Sequence, residues 1–109
     1  MPTTIDRITT NGHEFSEPVV MLWFSAQWCG PCKQMSPVIQ MFESANASQL
    51  RVIKLDAEED FELAQVFGIR AVPTLVLLER NKQLGTHVGA LSYNELDNWV
   101  KSRVEYKEE

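Results

Sequence analysis

Cys29 and Cys32 stand three positions apart in Trp28-Cys29-Gly30-Pro31-Cys32-Lys33, and they are the only cysteines of the chain. A disulfide between them closes so short a loop that chain entropy contributes about 2 kcal/mol, against about 4.7 kcal/mol for a hundred-residue loop. A structural staple would not be put there. A metal site needs further ligands, and the two histidines, His13 and His87, stand alone without ligand spacing. No metal is expected, and a redox pair is the reading that remains. At a helix N-terminus a thiolate faces unpaired N–H groups and the positive end of the macrodipole, which lowers its pKa. Cys29 is expected to be the exposed nucleophile at that end, and Cys32, one turn inside, the shielded resolving thiol. Cys29 would attack a target disulfide, and Cys32 would then attack Cys29 and release the reduced product. Pro31 suits a first helical turn because it has no N–H to leave unpaired. Gly30 lets a substrate backbone come close, and Trp28, at a strand exit beside the nucleophile, reads as a contact surface.

The flanking elements are legible from their periods. Residues 19–24 form a continuous apolar run, as expected of a strand buried on both faces. From Gly30 the period becomes helical, with Met35, Val38, Ile39 and Phe42 on one face. Pro37 inside that helix should bend it. Residues 51–55 predict a second strand, and the acidic turn 56–60 supplies carboxylates suited to the first turn of a helix. Phe61, Ala64 and Phe67 then share a face, and Gly68 is a C-terminal cap. A third buried strand follows Val72-Pro73-Thr74. Arg80-Asn81 predicts a hairpin turn, with Asn81 in the left-handed conformation, and residues 83–88 return as an edge strand. Ser92 and Glu95 form a capping box for a last helix that buries Leu96, Trp99, Val100 and Val104. Residues 4–8 suggest an edge strand and residues 13–17 a short helical turn. Phe42, Phe61, Phe67 and Trp99 are expected in the core, His13 and His87 at the surface, and the acids 58–60 as solvated charge. The order predicts an α/β sandwich around a mixed sheet, with a parallel crossover at the cysteines.

A chain of 109 residues fits a single domain, residues 1–109, and its 44% hydrophobic and 23% charged content is that of a globular protein. Ten basic against fifteen acidic residues, net charge −5, argue against a nucleic-acid partner. The longest apolar run, residues 19–24, is far below the roughly eighteen residues of a membrane helix. The N-terminal residues lack the apolar core of a secretory signal, so a cytoplasmic monomer without membrane attachment is expected.

Over nearly its whole length the chain resembles the thioredoxin family. Phe24-Ser25-Ala26-Gln27-Trp28-Cys29-Gly30-Pro31-Cys32-Lys33 is similar to the family's active site, and Pro37 falls where its second helix is kinked. Gly68-Ile69-Arg70-Ala71-Val72-Pro73-Thr74-Leu75 resembles the segment bearing the family's cis-proline, and Val88-Gly89-Ala90 its substrate-side loop. The resemblance implies an α/β thioredoxin fold, a central mixed β-sheet flanked by helices on both faces, with a shortened N-terminal helix. It implies a protein-disulfide reductase that is a general electron donor to disulfide-containing target proteins. Electrons would come from NADPH through a flavoprotein thioredoxin reductase, with no bound cofactor beyond the redox-active Cys29–Cys32 disulfide. A cis Pro73 would set the Val72 backbone against Cys29 to pair with an extended substrate. The expected groove, apolar and flat, comprises Trp28, Gly30, Pro31, Val72, Pro73 and Gly89.

One departure stands out. Six positions before the nucleophile the family places a buried Asp, and this chain has Trp23. Lys54 occupies the position of the Lys that accompanies that Asp, so it should extend to solvent or to a surface acid. The proton of Cys32 then has no visible acceptor, and a slow second step is expected. Ser25, small and on the same strand face, would make room for the larger ring. An oxidant or isomerase would suit an exported chain and a different dipeptide between the cysteines. An adaptor that uses the same surface without redox chemistry draws its support from Trp23 alone.

Overall fold

The computed structural model describes residues 19–80 and 82–104. The expected strand at 4–8, the turn at 13–17, Asn81 and any shortened N-terminal helix lie outside those residues. The order is β1 (Val19–Ser25), α1 (Gly30–Ala45), β2 (Leu50–Asp56), α2 (Phe61–Val66), β3 (Thr74–Glu79), β4 (Lys82–Val88) and α3 (Tyr93–Arg103). Among the described residues four strands form one sheet in the order β2-β1-β3-β4. β1 runs parallel to β2 and antiparallel to β3, and β3 pairs antiparallel with β4. The sheet is therefore mixed, as expected.

The central position of β1 explains its composition. All seven of its residues are buried, because both edges are hydrogen-bonded and both faces are covered. Side chains alternate between the faces. Val19, Met21 and Trp23 join Leu75 and Leu77 in a core closed by Met35, Ile39 and Phe42 of α1 and by Leu96 and Val100 of α3. Val20, Leu22 and Phe24 join Val76 and Leu78 against Leu55 and Ala64 on the other side, with Leu63, Phe67 and Ile69 packed around them. Each fully buried Leu contributes about 1.5–3 kcal/mol. Trp99 is half-buried against the first core, its ring 5.8 Å from that of His87.

α2 departs from expectation at its start. Phe61 is 57% exposed and is not a core residue. The helical period placed it correctly on the face of Ala64, but the first turn of this six-residue helix lies beside Trp28 instead of over the sheet. The carboxylates of the preceding turn also act differently. Asp56 Oδ1 accepts the N–H groups of Glu58 and Glu59 at 2.8 and 3.0 Å, and Asp60 Oδ2 accepts that of Asp56 at 2.9 Å. They close the turn, leaving Glu62 as the acid of the first helical turn. At the C-terminus Gly68 takes φ 66°, its N–H bonds the Gln65 carbonyl and that of Ile69 the Ala64 carbonyl. These two bonds make a Schellman motif, which stops the helix and turns the chain toward Val72.

In the hairpin Arg80 has φ 50°. Among the described residues of the turn, Arg80 is thus left-handed. At α3 the capping box forms as predicted: Glu95 N–H donates to Ser92 Oγ at 3.2 Å, and Ser92 N–H to Glu95 Oε1 at 2.9 Å. The bond from the Ser92 backbone, then that of its hydroxyl and the nearby His87, hold the Glu95 carboxyl below its ordinary pKa.

Candidate active site

The strand β1 ends and the helix α1 begins within five residues; Cys29 lies at that junction and Cys32 in the first turn of α1. Cys29 is the N-cap of α1, with extended φ −90° and ψ 109°, and Pro31 occupies its first turn. The cap acceptor is sulfur: Cys32 N–H points at Cys29 Sγ, 3.2 Å away. An unpaired N–H of the first turn therefore meets the atom that carries charge when Cys29 is a thiolate. The two cysteines form a disulfide with their Cα atoms 5.3 Å apart. The expected contrast in exposure is absent, since Cys29 and Cys32 are each 3% exposed. In the oxidised pair both sulfurs turn into a small cluster with Ala26, and Val72 packs against it. Helix position alone does not expose the N-cap thiol, because the neighbouring loop covers it.

On one side of the disulfide the surface is apolar. Trp28 is 70% exposed, and its indole N–H donates to Glu58 Oε1 at 3.3 Å. Glu58, expected only as solvated charge, thus steadies the ring from the neighbouring turn. Trp28 and Val72 line a pocket of about 220 Å³ together with Phe61, Ile69 and Ala57. The sequence reading missed those last three; the one signal, for Phe61, was the excess of apolar residues on a helix too short to bury them. The Val72–Pro73 peptide bond is cis. Pro73 itself is buried, and its carbonyl accepts the Gly89 N–H at 2.9 Å. Gly89, at φ 107°, is half-buried and belongs to neither pocket beside the disulfide. Gly30 and Pro31 are exposed, and a Cβ at Gly30 would meet nothing within 4 Å. Of the residues expected in the groove, Trp28 and Val72 share the apolar pocket, Gly30 and Pro31 lie exposed outside it, and Pro73 is buried.

The other side is polar. A pocket of about 240 Å³ is lined by Cys32, Trp23, Ser25, Lys33, Ser36 and Lys54. Trp23 is 4% exposed and packs in the α1–α3 core. Lys54 does not simply extend to solvent or to an acid, as expected; its Nζ lies over the Trp23 ring, 5.1 Å from the centroid. The parallel register causes this, because Trp23 and Lys54 are direct partners across β1 and β2. The aromatic face attracts the ammonium. The Trp23 ring is the companion of this Lys.

Among the described residues no cluster of three or more His, Cys, Asp or Glu is placed to hold a metal ion, and no helix is long and apolar enough to cross a membrane. The family model Thioredoxin matches residues 8–102. A thioredoxin of Haemophilus influenzae is 32% identical over 89 residues, 82% of this chain and 83% of that protein. A thioredoxin of Bacillus subtilis is 38% identical over 76 residues, 70% of this chain and 73% of that protein. Among solved structures, a mutant thioredoxin from Halobacterium salinarum superposes with a TM-score of 0.76 at 32% identity, covering 99% of this chain and 90% of that one.

Proposed function

This chain belongs to the thioredoxin family, and from that premise we propose that Cys29 is its attacking thiol and Cys32 its resolving thiol. The chain is an oxidoreductase that reduces protein disulfides by dithiol–disulfide exchange. The observation that carries the assignment of roles is the cap: Cys29 Sγ sits at the helix N-terminus and receives the Cys32 N–H. Negative charge is stabilised there by the peptide dipoles and by a direct donor. Cys29 attacks a target disulfide and forms a mixed disulfide, and Cys32 attacks Cys29 and frees the target as a dithiol. Trp28, Gly30, Pro31 and Val72 form the contact surface, which accepts extended peptides through backbone pairing at Val72, and Pro73 and Gly89 hold that loop in place. An NADPH-dependent flavoprotein thioredoxin reductase returns the electrons, and the protein works as a cytoplasmic single-domain monomer.

Trapping tests the roles. Cys32→Ser should accumulate mixed disulfides with target proteins through Cys29, and Cys29→Ser should accumulate none. Trapping through Cys32 in the Cys29→Ser protein instead would reverse the assignment. An adaptor would hold its partners equally well with both cysteines changed to Ser; loss of capture in that double variant is the expected result.

A further inference from the structure

We propose that Lys54, held over the Trp23 ring, is a positioning residue for the second exchange step: its ammonium stabilises the Cys32 thiolate, in place of a carboxylate that would take the thiol proton. This rests on Cys32 being the resolving thiol. Three observations carry it. First, the pocket that Cys32 lines is also lined by two lysines, Lys33 from its own helix and Lys54 from β2, and by no carboxylate residue. Second, Lys54 Nζ is held 5.1 Å from the Trp23 ring centroid, and both residues line that same pocket with Cys32. Third, Trp23 Nε1 is buried without a hydrogen-bond acceptor. No carboxylate accepts from that donor either.

The remaining charges near Lys54 lie on its far side. Asp56, Glu59 and Asp60 line an adjoining pocket that shares Ser25, Ala26, Gln27 and Lys54 with the first but not Cys32. Asp56 and Asp60 there already accept backbone N–H groups. They compete for the Lys54 ammonium, and the indole face keeps it within reach of the thiol pocket. A carboxylate beside a thiol raises its pKa, whereas an ammonium lowers it. The chemistry balances without another group. Cys32 loses its proton to water, and its thiolate attacks Cys29 Sγ of the mixed disulfide. The Cys29–Cys32 bond forms as the Cys29–target bond breaks, and the target sulfur leaves with the electron pair and is protonated by water. Resolution is then fast wherever the thiolate is already populated.

The test reads Cys32 alone. In the reduced Cys29→Ser protein, thiolate absorbance should titrate below the ordinary thiol value of about 8.5. Lys54→Met should raise that pKa by about half a unit, a shift kept small because Lys54 is exposed. In the otherwise native protein, the same substitution should slow resolution about threefold at pH 6.5 and leave it unchanged above the thiol pKa. Lys54→Arg, which keeps the charge over the ring, should restore both. Lys101→Met, which removes an exposed Lys paired with Asp97 at 3.0 Å, should move neither. Trp23→Leu, if it folds, should act like Lys54→Met. An unmoved Cys32 titration in Lys54→Met overturns the proposal, as does an equal shift in Lys101→Met, which would make the effect one of net charge. A protein that traps no mixed disulfide as Cys32→Ser would defeat the assignment of roles instead, whatever the titration shows.

Discussion

The two pockets beside the disulfide are of similar size and opposite character. The one under Trp28 and Val72 is walled mostly by Phe61, Ile69 and alanines, with Gln65 and Arg70 beside them. The one behind Cys32 carries two lysines, two serines and an indole. In the function proposed, the apolar side contacts whatever is being reduced, so it needs desolvated surface and backbone access but little charge. In the role proposed for Lys54, the polar side sets how readily one sulfur loses a proton, so single charges dominate it. Substitutions on the first side should change which proteins react, and substitutions on the second should change how the rate depends on pH.

The largest effect is expected where the polar pocket meets the core. Trp23→Asp removes a ring that is 4% exposed and puts a carboxylate in its place. Loss of a buried Trp costs about 3–5 kcal/mol, and urea unfolding should show a loss of that order. The same carboxylate would give the Cys32 proton an acceptor and Lys54 an ion-pair partner, so resolution measured by stopped flow should accelerate below the thiol pKa. A variant as stable as the parent would mean that Trp23 contributes nothing to packing. Next comes the apolar side: Val72→Asp should lower kcat/KM for a protein disulfide at least tenfold, because a charge must be desolvated against each target. Its effect on a small symmetrical disulfide should be much smaller. Equal losses for both substrates would place the defect in the cysteines and erase the distinction between the pockets.

The α3 cap touches neither pocket and serves as a reference. Ser92→Ala removes the acceptor of the Glu95 N–H and should cost about 1 kcal/mol in unfolding, with exchange kinetics unchanged. The Glu95 carboxyl is held below its ordinary pKa by the Ser92 bonds. Its contribution is therefore fully present above the unfolded Glu pKa and is lost as pH falls through the lower folded value. Glu95→Gln should narrow its stability gap from the parent on acidification through that window. A gap independent of pH would show that the bond does not depend on the charge.

Much of the fold was legible because its signals are local. The run from Val19 to Ser25, the apolar face of α1, the stop at Gly68 and the Ser92–Glu95 box each depend on neighbours within a few positions. The motif at Cys29 and Cys32 was legible for the same reason. Phe61 was misjudged because period assigns a face to a residue without saying what that face meets. The exposure of Cys29 failed similarly, since it depends on Val72, forty-three positions away. Glu58 and Lys54 were read without their partners, Trp28 and Trp23, because those contacts join separate elements.

The sequence by itself therefore determined the reacting pair, its place at a helix N-terminus and the order of strands and helices around it. Those follow from covalent spacing and from periodicities of 2 and 3.6 that a linear chain displays. Only the tertiary structure decided the environment of each sulfur. Parallel pairing sets Trp23 beside Lys54, the cis Val72–Pro73 loop packs on the disulfide, and α2 brings Phe61 next to Trp28. Electrostatic and apolar contacts act through a few ångströms of space, and the chain brings those atoms together only after it has folded.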